Sequence, residues 1–250
     1  MILITGASAG IGLACARKFA ESGRDLVLVA RRVDRLKQVA AALVREHGVE
    51  VQVDRLDVAD RADVDRFALE RSDWLDRVEV LVNNAGLARG LATLQEGDPR
   101  DWDAMIDTNI KGLLYVTHAV IPRLVRRGAG HVVNLGSVAG HWTYPRGNVY
   151  SATKFAVRGL TESLRLDLHG TGVRVTEIAP GMVETEFSEV RFGGDRDRAK
   201  AVYQGFSPLT PEDIAEAVEW CVSRPPRVNV QCLVIYPTDQ ASPTLVHRGS

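Results

Sequence analysis

Cysteine is scarce in this chain: Cys15, Cys221 and Cys232 are the only three in 250 residues. They are odd in number, far apart and free of C-x-x-C spacing, so neither a disulfide framework nor a zinc or redox motif is implied, and a reducing cytoplasm suits them. The six histidines are also dispersed without ligand spacing, and no metal is expected. Excess charge is lacking too. The formal net charge of -1 gives no electrostatic reason to bind nucleic acid or an anionic membrane, although a local basic patch can still hold one phosphate. No apolar run reaches the length of a membrane span, and no basic segment followed by an apolar one opens the chain. With no linker, repeat or low-complexity tract, residues 1–250 read as a single domain.

What is present is a chain with 45% apolar and 25% charged residues, enough to bury a large core. Strand-like runs at 2–5, 25–31, 49–56, 78–86, HVVNLG, 173–179 and 230–236 alternate with helical stretches, including one from Trp102 to Arg127 and one from Val149 to His169. That alternation predicts an α/β fold, a Rossmann-type doubly wound parallel sheet of about seven strands with helices on both faces.

Four stretches carry chemistry. After the first strand, Gly6, Ala7, Ser8, Ala9, Gly10, Ile11 and Gly12 turn into a helix; such small residues let backbone N–H groups approach a pyrophosphate, though the same cluster also serves a tight turn. The second strand ends in Arg31 and Arg32 where an acidic residue would favour NAD, so NADP is predicted. The competing reading is that both arginines begin a solvated helix. Asn83 and Asn84 close the fourth strand at a ligand-binding sheet end or satisfy a turn. In SVAGHWTYPRGNVYSATK, Tyr150 and Lys154 lie four apart on one helix face. An ammonium there would draw the phenol down from its ordinary pKa of roughly 10, and Ser137 can hydrogen-bond the same substrate oxygen.

TGASAGIG, NNAG, Asn109 within TNIKG, the Ser137, Tyr150, Lys154 set and PGMVET occur in an order that resembles the short-chain dehydrogenase/reductase family over nearly the whole length. The resemblance implies an NADP(H)-dependent oxidoreductase of CH–OH groups. Ser137 would bind substrate, Tyr150 exchange its proton, Lys154 hold the nicotinamide ribose and lower the tyrosine pKa, and Asn109 anchor a relay water. It further implies that Asp57 and Val58 lie against the adenine, although Asp57 can equally cap the next helix. Asn84, Ala85 and Gly86 would border the nucleotide, and Pro180, Gly181, Val183 and Thr185 reach the nicotinamide. Relatives of this type are commonly homotetramers.

The tail half is similar to the NADP-dependent 3-hydroxy acid (serine and allo-threonine) dehydrogenases, which implies such a substrate. Residues 182–210 read as a substrate lid or as a surface loop. Arg191 within it is a candidate for the carboxylate, and Arg146, in a Tyr-Pro-Arg departure from that subgroup, is another; a solvated role is open for each. A reductase of another ketone or aldehyde, and an NADP(H) sensor without turnover, are the alternatives.

Overall fold

The central strands are continuous apolar runs because both of their faces are covered. In the computed structural model, which describes residues 1–249, β1 (Ile2–Thr5), β2 (Leu26–Ala30) and β4 (Val80–Asn83) are buried throughout, while the edge strands β3 (Val51–Arg55) and β7 (Cys232–Ile235) are partly exposed. With β5 (Gly130–Leu135) and β6 (Val173–Pro180) they form one parallel seven-stranded sheet in the order β3-β2-β1-β4-β5-β6-β7. The chain runs outward from β1 to β3 and then crosses back to β4. This reversal opens a crevice at the carboxyl ends of β1 and β4, where ligands bind in such sheets.

Alternation along each strand divides the core. Ile2 and Ile4 of β1 pack with Phe19 of α1 (Gly10–Glu21), Leu36 of α2 (Val33–His47) and Ile214 of α10 (Pro211–Val222). Leu3 faces the other way, joining Phe67 of α3 (Arg61–Glu70), Leu75 of α4 (Ser72–Arg77) and Val120 of α6 (Leu113–Arg127). Local signals set the helix starts: Asp60 accepts hydrogen bonds from Ala62 and Asp63 N–H, and Thr210 with Asp213 makes a reciprocal capping box before Pro211. The remaining helices are α5 (Pro99–Ile106), α7 (Asn148–Asp167), α8 (Phe187–Arg191) and α9 (Arg196–Ala201).

Two expectations need correction. The helix predicted over Trp102–Arg127 begins at Pro99 and is interrupted by a wider π turn over Asp107–Gly112, a local break that accommodates the buried Asn109 and is frequent at functional sites. The fourth strand stops at Asn83, because Asn84 leaves the ladder to hold the β1 turn.

A polar network crosses the sheet below the crevice. Asn83 Nδ2 donates to Thr117 Oγ1 (2.8 Å) and Asn134 Oδ1 (2.9 Å), and Asn134 Nδ2 donates to Thr161 Oγ1 (2.9 Å). These buried groups fix β4 and β5 against α6 and α7.

Candidate active site

The glycine-rich turn is shaped by backbone geometry. Gly6 and Gly10 adopt φ of 67° and 53°, the left-handed region that other residues avoid. A Cβ on Gly12 would lie 2.6 Å from Gly6 O, so only glycine lets α1 sit this close to the turn. Asn84 clamps the same turn, donating from Nδ2 to Thr5 O at 2.9 Å. No side chain caps α1, which leaves its first N–H groups available to an anion.

A cavity of about 720 Å³ opens in front of this turn. Gly6, Ser8, Ala9, Gly10, Ile11, Arg31, Arg32, Asp57, Val58, Asn84, Ala85, Gly86, Pro180, Gly181, Val183 and Thr185 all line it, while Ala7 and Gly12 are buried behind it. Asp60, not Asp57, caps α3, which removes the competing reading of Asp57.

The two arginines after β2 behave differently. Arg31 is exposed and forms no ion pair among the described residues. Arg32 donates from Nε to Ser8 Oγ (3.2 Å) and from Nη1 to Glu186 (2.8 Å), and Arg35, one turn along α2, donates to the other oxygen of the same carboxylate at 2.8 Å. The hydrogen bond from Arg32, then that from Arg35, holds Glu186 below the usual carboxylate range. Two guanidiniums converging on one anion beside an uncapped helix start fit a 2′-phosphate and pyrophosphate. Arg35 escaped the sequence reading; its i+3 spacing from Arg32 was the available signal.

Ser137, Tyr150 and Lys154 line the same cavity. Gly140 makes this possible: a Cβ there would lie 2.6 Å from Lys154 O, so the turn after Ser137 packs directly on α7. Burial and the neighbouring Tyr144 push the Tyr150 phenol up to about 12, against the lowering influence of Arg191 and Ser137. Ser137 Oγ accepts from Ala139 N–H at 3.1 Å. Lys154 is buried and pushed down to about 8, with Glu177 opposing the shift.

Lys154 stands near the Tyr150 ring without contacting it. Its ammonium lies 6.0 Å from the phenol ring centre and donates to Leu135 O at 2.7 Å, so the cation nearest the ring is another one. Asn109 is buried off the cavity wall. Its amide accepts from Leu87 N–H and donates to Leu87 O, both at 2.8 Å, and to Thr153 Oγ1 at 3.0 Å, so it ties the π turn to α7.

That other cation is Arg191, at the end of α8. Its guanidinium lies 5.0 Å from the Tyr150 ring centre and 5.6 Å from that of Phe187, and Nη2 donates to Tyr144 OH at 2.6 Å. Its Nε is buried with no hydrogen-bond partner. Residues 182–210 thus bring two short helices over the strand ends; Phe187 and Tyr203 line the cavity without having been singled out in the sequence, together with Tyr144 of the Tyr-Pro-Arg departure. Arg146 lies at the cavity edge, exposed and free of side-chain hydrogen bonds, with φ of 64°.

Residues 1–194 match the model of the family described as short chain dehydrogenase. Two full-length relatives are an NADP-dependent 3-hydroxy acid dehydrogenase of Salmonella typhi, 48% identical over all of both chains, and sulfoacetaldehyde reductase 2 of Chromohalobacter salexigens, 50% identical over 96% of this chain and 95% of that one. Among solved structures, the closed form of a serine dehydrogenase complexed with NADP+ superposes with a TM-score of 0.91 at 45% identity, covering 99% of both chains.

Proposed function

Since the chain belongs to the short chain dehydrogenase family and is an NADP-dependent oxidoreductase of CH–OH groups, we propose that its substrate is a small 3-hydroxy acid such as L-serine or L-allo-threonine. One observation carries this choice: a guanidinium with a buried, unpartnered Nε stands over the ring of the tyrosine that exchanges the proton. A carboxylate on Arg191 would satisfy that donor and hold the adjacent carbinol near Tyr150.

NADP, held by the glycine-rich turn, α1 and Arg32, supplies the hydride acceptor or donor when bound. In the reductive direction the Tyr150 phenol gives its proton to the carbonyl oxygen, and in the oxidative direction the Tyr150 phenolate takes one from the hydroxyl. Ser137 holds that oxygen by hydrogen bond. Lys154 retains its charge over most of the neutral range and binds the nicotinamide ribose, while Asn109 positions the π turn beside it. Reduction of a sulfonated aldehyde is a second reading, favoured by the same cation and by the sulfoacetaldehyde reductase relative. Assembly as a homotetramer belongs to this reading too, supported by the exposed apolar Leu114, Phe155 and Leu166 on the two long helices and Val234 on β7.

The test is a panel of initial rates: NADPH formation with L-serine, L-allo-threonine and 1-propanol, and NADPH oxidation with sulfoacetaldehyde and propanal. A hydrogen bond to a charged group contributes about 1.5–3 kcal/mol, so kcat/KM for the hydroxy acids should exceed that for the neutral alcohol by roughly 10–100-fold. Equal efficiency with the neutral compounds would overturn the assignment.

A further inference from the structure

The sequence reading found no metal motif, because spacing along the chain cannot reveal ligands that come from three separate segments. His141 closes the short turn that follows Ser137, Glu177 lies on β6, and Cys232 is its register partner on β7. Among the described residues, theirs is the one group of three whose ligand atoms all lie within 4.8 Å of one another. We infer that His141, Glu177 and Cys232 bind a zinc-class divalent cation behind the turn that carries Ser137.

With one ligand atom from each residue the three lie within 4.8 Å of one another. His141 faces one oxygen of the Glu177 carboxylate and Cys232 the other, so a small turn of that carboxylate would bring a single oxygen to both. His141 Nε2 is 3.4 Å from Glu177 Oε1, Cys232 Sγ is 3.6 Å from Glu177 Oε2, and Cys232 Sγ is 3.8 Å from His141 Nε2. Tetrahedral zinc with its ordinary bond lengths to nitrogen, oxygen and sulfur sets its ligand atoms about 3.4–3.6 Å apart. The mixed thiolate, imidazole and carboxylate set favours zinc over magnesium or calcium. One thiolate and one carboxylate would neutralise the divalent charge, and three protein ligands would leave a fourth position open.

A second observation points the same way. Glu177 is 2% exposed, and its Oε1 is buried with no hydrogen-bond partner. It is seated against Gly136, where any side chain would collide with it. A buried carboxylate oxygen without a donor is costly, and a cation at this point satisfies it. Cys232 is exposed in the single chain, and Trp142 lies over the His141 ring at 5.6 Å between centres, sheltering the imidazole. Arg158 Nη1 lies 3.3 Å from His141 Nδ1. Ligation through Nε2 puts the ring proton on Nδ1, so this contact gives way, and Arg158 keeps Glu162, to which its Nε donates at 3.1 Å. The bound ion would tie β6 and β7 to the turn beside the active site without using any residue of the proton-transfer set.

The full-length protein, with and without NADP, is titrated with zinc against a chromophoric chelator, and with cobalt as a spectroscopic probe. One ion per chain is expected, with a sulfur-to-cobalt charge-transfer band and the intense visible bands of a tetrahedral centre. Cys232→Ser removes an exposed ligand and leaves the buried Cys15 and Cys221 in place. It should abolish the charge-transfer band and weaken zinc binding by more than the roughly 10–100-fold that outer-shell changes cost. His141→Ala should do the same to affinity, while melting of both metal-free variants stays near that of the parent. Absence of stoichiometric binding, or binding that survives both substitutions as adventitious surface association, would overturn the site.

Discussion

At one end of the cleft, the turn from Thr5 to Gly12 is a single short segment whose left-handed glycines and close helix contact follow from its own residues. At the other end, Tyr144, Tyr150 and Arg191 meet from the Tyr-Pro-Arg turn, α7 and α8, and their geometry exists only because those segments converge. The nucleotide end is thus set by backbone shape, which tolerates few substitutions, whereas the substrate end is set by side chains on an adaptable surface segment. In this family the first can stay fixed while the second changes specificity.

The proton-transfer residue stands where the two ends meet, so its loss should separate catalysis from binding most sharply. Tyr150→Phe keeps the ring that packs edge-on against Phe187 and under Arg191 but has no proton to exchange. We expect kcat to fall by about 10²–10⁴-fold, the range for removal of a general acid–base group. NADPH affinity, followed by fluorescence titration, should stay within about threefold, because the turn and the arginines are untouched. Near-normal turnover would remove Tyr150 from the chemistry.

A crossed pair of arginine variants tests whether the two ends act independently. Arg32→Ala should raise KM for NADPH by roughly 10–100-fold, the loss of a charge-assisted contact, while leaving NADH almost unchanged, since NADH has no 2′-phosphate. Arg191→Ala should lower kcat/KM for the hydroxy acids by a similar factor and leave KM for NADPH alone. If either variant moves both parameters, Glu186 is the place to look for the cause. Its carboxylate joins Arg32 and Arg35 to the start of the segment that carries Arg191, so it links the ends physically.

Legibility in the sequence follows the same division. The parallel sheet, the glycine turn and the Ser137, Tyr150, Lys154 set were readable because each depends on local spacing or strand and helix alternation. Arg35, Glu186 and the contact of Arg191 with Tyr144 were missed because the partners lie far apart in sequence, and Asn134 because a polar residue inside an apolar strand run gives no hint of the network it completes. The π turn was hidden since its residues keep a helical pattern and only Asn109 disturbs it. The direction of the Lys154 ammonium was hidden for a similar reason. Shared position on a helix face places two Cα atoms, but the Leu135 carbonyl at the end of β5 decides where the ammonium points.

The finest distinction concerns the two candidate anion ligands. Arg146 is the only non-glycine residue among the described ones with positive φ, and holding such a residue in the left-handed region costs about 1–2 kcal/mol. Its turn is fixed by Gly147 N–H donating to Tyr144 O at 3.0 Å, so the strain helps to present Tyr144 to Arg191, whatever the Arg146 side chain does. Arg146→Gly should therefore stabilise the protein by up to about 1 kcal/mol in chemical denaturation, part of the relief being offset by the greater freedom of glycine when unfolded. Arg146→Asn, which tolerates the same backbone and removes the charge, should leave kcat/KM for the hydroxy acids within about threefold. A loss of tenfold or more in the asparagine variant would make Arg146 the carboxylate ligand and leave Arg191 as the prop for Tyr144 and Tyr150.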